Sequence, residues 1–195
     1  MQRTFDELVA DADSVSVAGW DFSWLNGRAT EERPSWGYQR LLHARLAEVA
    51  AALDIYTGGG EVLEGSGPFP PTMAATEPWP PNIALATQLL HPLGVVVIAT
   101  GDEPPLPFAA AAFDLVTSRH PSAVWWDEIA GLLRPGGAYF AQHVGVIYLR
   151  TLIEYFVGRQ PLRQIRGQLN PDTVSAQVAA AGLDVVDLRH EQIQL

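Results

Sequence analysis

Short apolar runs alternate along most of this chain with stretches whose apolar side chains recur at helical spacing, and few folds accommodate that alternation. Leu41, Leu42, Leu46, Val49 and Ala50 mark a helix from about Gly37 to Ala50 that leads straight into a strand ending at Asp54. Thr72 to Thr76 reads as a second strand ending at Glu77, and Pro80 or Pro81 opens a helix through Leu90, because proline suits a first helical turn. Val95-Val96-Val97-Ile98 has the unbroken apolar character of a buried parallel strand. Phe113 to Thr117 supplies a fourth strand, Ala123 to Leu133 a helix and Ala138 to Val144 a fifth strand; Pro171 to Ala181 and Leu183 to Leu188 read as a last helix and sixth strand. Strands joined by helical crossovers lie parallel, so the expected fold class is α/β, a doubly wound, mostly parallel sheet.

With 195 residues, 48% of them hydrophobic, the chain suits one such domain at residues 37–195. Residues 1–36 read as a leading segment, with a short helix from Phe5 to Ala12 and an aromatic stretch, Trp20-Asp21-Phe22-Ser23-Trp24-Leu25, suited to a lid. Lys and Arg total 12 against 22 Asp and Glu, a net charge of −10, which disfavours a surface that tracks phosphates and so nucleic acid as a partner. The absence of cysteine excludes disulfides and thiolate metal sites, and no pair of the five histidines has zinc-helix spacing with a nearby acid, so no metal is expected. No apolar stretch approaches the roughly 20 residues that span a bilayer, and Met1 to Glu7 lacks the apolar core of a secretion signal. The expectation is a cytoplasmic protein with no membrane partner.

Chemistry concentrates where the first strand ends. Leu53-Asp54-Ile55-Tyr56-Thr57-Gly58-Gly59-Gly60-Glu61 runs from an apolar strand through a carboxylate and a glycine cluster into a helix start. Glycine lets such a turn adopt positive φ and leaves room for a bulky ligand. A carboxylate at this strand end suits a cationic group, such as an amino group, better than a phosphate. Glu77, 17 residues after Gly60 and at the end of the second strand, is placed to accept the two hydroxyls of a ribose. Asp102 follows the third strand, with Leu106-Pro107-Phe108 and Phe113-Asp114-Leu115-Val116 behind it, and Leu133-Arg134-Pro135-Gly136-Gly137 forms a helix-ending turn.

The acid-x-Gly-x-Gly-x-Gly pattern, in register at Asp54, Gly58 and Gly60, resembles the first motif of class I S-adenosylmethionine-dependent methyltransferases. Glu32-Arg33-Pro34-Ser35-Trp36, Ala75-Thr76-Glu77-Pro78-Trp79-Pro80-Pro81-Asn82, Arg119-His120 and Gln142-His143-Val144-Gly145 extend the resemblance to a bacterial, actinobacterial branch of unassigned substrate. It implies a Rossmann-like sheet and methyl transfer from S-adenosylmethionine to a small, partly apolar metabolite. It also implies a cofactor set of Asp54, Tyr56, Thr57, Gly58, Gly60, Glu77, Asp102, Glu103 and Ser118. Tyr56 departs from the pattern by replacing its first glycine, so either φ stays negative there or the loop is remodelled.

Arg119 and His120 follow the fourth strand on the side where open α/β sheets bind ligands, and an imidazole titrating near neutrality suits a general base. Trp20, Trp36 and His143 are candidates for the acceptor pocket. The rival reading is a non-catalytic binding or scaffold protein descended from such enzymes, with the Tyr56 ring in the cofactor's space. A nicotinamide enzyme is disfavoured because the loop lacks the Gly-x-Gly-x-x-Gly order. Family domains carry a seventh strand between the fifth and sixth, and the resemblance leads to the expectation that it is missing here. The fifth strand is therefore expected either to draw Leu183 to Leu188 alongside or to meet a second copy in a homodimer.

Overall fold

A computed structural model of the chain describes residues 3–16, 23–28, 30, 32–145, 154–155, 158 and 169–193. Five strands form one parallel sheet: β1 (Ala51–Ile55), β2 (Thr72–Glu77), β3 (Val96–Ala99), β4 (Phe113–Arg119) and β5 (Leu133–Gln142), in the order β3-β2-β1-β4-β5. Helices α1 (Phe5–Asp13), α2 (Tyr38–Leu46), α3 (Glu61–Glu64), α4 (Pro80–Leu90), α5 (Trp126–Leu132) and α6 (Pro171–Ala180) accompany it. The order reverses at β1 and β4, the switch point beside which open α/β sheets hold ligands.

Both sheet faces are covered, which explains why the central strands lack a polar side. Ala52, Met73, Ala75 and Leu115 pack on one face with Leu42, Leu46, Leu63 and Leu90 from α2, α3 and α4. Leu53, Ile55 and Val116 point to the other, against Leu106, Phe113, Ile129 and Leu132. Burying each such leucine contributes roughly 1.5–3 kcal/mol. Asp114 of β4 accepts the Ala50 and Ala51 backbone N–H groups and pairs with Arg134 at 2.8 Å, so the Phe-Asp-Leu-Val and Leu-Arg-Pro-Gly motifs are tied together as architecture. Gly137 completes this junction, since a Cβ there would lie 2.9 Å from the Arg134 carbonyl oxygen.

Three expectations from sequence need correction. β3 is parallel but lies at the sheet edge, with Val96 56% exposed, because only β2 flanks it. The helix expected from Ala123 begins at Trp126. Leu183 to Leu188 forms no strand and does not move beside β5: Val185, Val186 and Leu188 are exposed and Asp187 pairs with Arg189. Without a neighbouring ladder, an extended segment leaves its backbone groups to water. Among the described residues the outer side of β5 meets only a bridge just beyond it, between Gly145 and Leu169. No helix among those residues is long and apolar enough to cross a membrane.

Candidate functional site

The carboxyl ends of β1, β2 and β3 bring the glycine loop and the sequence-predicted acids together. Thr57 N–H reaches the Thr76 carbonyl at 3.0 Å, prolonging the β1–β2 pairing into the loop. The chain then turns through left-handed backbone at Tyr56 (φ 60), Gly58 (φ 66) and Gly60 (φ 94). Tyr56 thus does not keep negative φ. It takes up the glycine conformation, at a steric cost of about 1–2 kcal/mol for a residue with a Cβ. Its ring packs 5.3 Å from that of Trp125, and its hydroxyl donates to the Asp102 carbonyl at 3.4 Å, bridging the loops after β1 and β3. Gly60 is demanded by packing as well as by φ: an added Cβ would sit 3.1 Å from Leu90 and 3.3 Å from the Ala86 Cα.

Glu77 locks this half of the site. One carboxylate oxygen accepts the Gly58 N–H at 2.9 Å and the other the Trp79 N–H at 3.1 Å. Burial pushes its carboxyl above the ordinary range, opposed by those two amides and by the Asn82 side chain. A carboxylate offers about four lone-pair sites, so two backbone donors leave capacity for a ligand's hydroxyls. Asp54, 7% exposed, accepts the Thr117 hydroxyl at 2.6 Å and is pushed up to about 6 by burial, with Thr117 and Thr57 pulling the other way and Glu77 adding to the rise. Asp102 and Glu103 lie on the exposed loop after β3.

A second half lies at the ends of β4 and β5. Ser118 Oγ and the Tyr139 hydroxyl are 2.6 Å apart, and that hydroxyl is 3.3 Å from His143 Nε2. The edge of one ring meets the face of the other where Trp126 packs on Tyr139, and burial raises the Tyr139 phenol well above its usual range. Tyr38 is core, stacked on Phe140 with its hydroxyl on the Ser118 carbonyl. Trp36 Nε1–H donates to Gln142 Oε1 at 2.9 Å, and Gln142 Nε2 is 2.9 Å from His120 Nε2. His120 follows Arg119 with a left-handed φ of 52, its own N–H on the Gln142 carbonyl. Although its side chain reaches solvent, desolvation by its surroundings and then the Arg119 charge push its imidazole down to about 4. That is poorly matched to a general base at neutral pH. Trp20 lies outside the described residues.

Sequence reasoning passed over Thr117, Asn82, Tyr139 and the role of Gln142. Thr117 carried a signal, as a polar residue within an apolar strand. Asn82 and Gln142 stood inside the motifs, but the residues they meet lie far along the chain or across the fold and leave no mark in the sequence.

A parallel sheet that reverses at β1 and β4, with a glycine loop and acids at successive strand ends, defines the class I methyltransferase fold. Residues 53–141 match the family model described as methyltransferase domain. No functionally curated protein matches it in sequence. Among solved structures, the YcgJ protein of Bacillus subtilis superposes with a TM-score of 0.57 at 18% identity, over 74% of this chain and 67% of that one. A Haloferax volcanii structure solved with the Trm112 methyltransferase activator gives 0.60 at 17%, over 96% and 79%. The [4+2]-cyclase SpnF gives 0.58 at 17%, over 81% and 62%. At such identities the likeness speaks to fold alone, and one scaffold hosts different reactions.

Proposed function

We propose that this chain transfers a methyl group from S-adenosylmethionine to a small, partly apolar metabolite. The observation that carries the reading is the Gly58–Glu77 hydrogen bond, which sets the glycine loop and the second-strand acid as one unit at the switch point. Glu77 would hold the ribose, Asp54, Gly58 and Gly60 the methionine side with Tyr56 and Thr57 lining the turn, and Asp102, Glu103 and Ser118 the remainder of the adenosyl group. When bound, the cofactor supplies an electrophilic methyl. The chain's own task is then positioning and exclusion of water, which can supply much of the acceleration. Trp36, Trp126 and Tyr139 give the acceptor side an aromatic character that favours a metabolite over a polymer. His120 as general base is the weakest of these assignments, given its lowered basicity. A cytoplasmic location and a homodimer complete the proposal.

A second reading, a non-catalytic binding protein, has one observation in its favour. The Tyr56 ring bridges two loops that the cofactor would contact. Calorimetric titration with S-adenosylmethionine and S-adenosylhomocysteine separates the two readings. Saturable binding of both supports the enzyme, and no heat up to millimolar ligand supports the scaffold.

A further inference from the structure

The Trp36–Gln142–His120 chain of contacts fixes more than position. Indole N–H only donates, so Trp36 at 2.9 Å identifies the Gln142 atom it touches as the carbonyl oxygen. The other end of that amide is therefore its NH2 group, a donor, and at 2.9 Å it faces His120 Nε2, which must accept. A neutral imidazole that accepts at Nε2 carries its proton on Nδ1. Among the described residues nothing else bonds His120 Nδ1, and the left-handed backbone at φ 52 orients this ring just beyond β4, next to Arg119.

We infer that His120 is a neutral, oriented N–H donor which, with Arg119, binds a carboxylate of the methyl acceptor, and that Trp36 and Gln142 are positioning residues acting through its tautomer. Charge favours this end of the sheet for an anion. Asp54 and Glu77 lie at the ends of β1 and β2 and Asp102 on the loop after β3, whereas Arg119 ends β4 with a cation. A guanidinium beside an N–H donor matches the two oxygens of a carboxylate. The identity of the ligand as methyl acceptor rests on the proposed activity. The tautomer and the anion site do not, and both are measurable without cofactor.

The test is long-range proton–nitrogen correlation NMR on the imidazoles of the intact protein at neutral pH, with the His120 signals identified by their loss in His120→Asn. The expected result is a protonated Nδ1 and an unprotonated Nε2. A proton on Nε2, or rapid exchange between tautomers, overturns the relay. Gln142→Glu replaces the donor with an acceptor and should move the proton to Nε2. Trp36→Phe frees the amide to turn and should mix the tautomers, so an unchanged pattern in both variants also refutes it. Sodium acetate is the carboxylate probe, on the order of tens of millimolar against sodium chloride at equal ionic strength. Acetate should shift the Nδ1 signal saturably in the wild type and not in Arg119→Ala. Failure of acetate to shift it, or an equal shift by chloride, overturns the carboxylate assignment, whatever calorimetry says about S-adenosylmethionine.

Discussion

Tyr56 and Asp54 both hold conformations or charges that the fold itself would not choose. Replacing Tyr56 by glycine relieves left-handed strain but removes the ring from Trp125, so stability should fall by roughly 1–3 kcal/mol in denaturant titration. Cofactor affinity should rise if the ring obstructs; weaker binding would identify the ring as a wall of the site. Asp54 has a folded-state carboxyl raised from 3.8 to about 6, so its burial is tolerated below the unfolded value and costs stability as pH climbs through that interval. Two pKa units correspond to roughly 2–3 kcal/mol. Asp54→Asn, whose side-chain oxygen can still accept from Thr117, should therefore melt higher than wild type at pH 7, with the gap closing below about pH 4. A gap that persists in acid would mean the carboxylate charge is not its cause. Glu77→Ala should weaken S-adenosylmethionine binding by at least about 1 kcal/mol, the scale of one charge-assisted hydrogen bond. Glu77→Gln keeps an acceptor for Gly58 and serves as the control for loop collapse. Unchanged affinity in Glu77→Ala removes this residue from the cofactor site.

At the scale of elements, the loop is held by what it packs against. The short α3 starts at Gly60, and that glycine lies flat against Ala86 and Leu90 of α4. Gly60→Ala combines a φ of 94 with a Cβ that the α4 backbone cannot easily yield to. It should cost about 2 kcal/mol or more, read as a lower denaturation midpoint with faster hydrogen exchange in residues 58–64. A neutral outcome would show that α3 and α4 move apart freely. Elements were largely legible beforehand. Strand positions for β1, β2 and β4 and the proline-started α4 follow from apolar runs and local stereochemistry, which are properties of neighbours along the chain. The exposure of Val96 and the failure of Leu183 to Leu188 to form a strand were not legible, because an edge or a ladder is a relation to another strand.

For the whole molecule, assembly turns on the outer edge of β5. Among the described residues it has no strand alongside, and ladder groups left bare invite pairing with another chain. The proposed homodimer predicts twice the chain mass in sedimentation equilibrium at micromolar concentration. A persistent monomer would remove that proposal and leave the methyltransferase reading intact.

Sequence alone determined the parallel α/β architecture, the glycine loop, and the order in which Asp54, Glu77 and Asp102 reach the same edge of the sheet. Those follow from periodicity and from the rule that parallel strands end on one side. Only the tertiary structure decided that Tyr56 accepts a glycine's backbone, that Glu77 binds its own loop, and that His120 meets a Gln142 amide whose oxygen accepts from a tryptophan 84 residues before that histidine. Desolvation and hydrogen-bond donor order are set by which atoms meet across the fold, and residues as far apart as Trp36, His120 and Gln142 carry no local signal that they will touch.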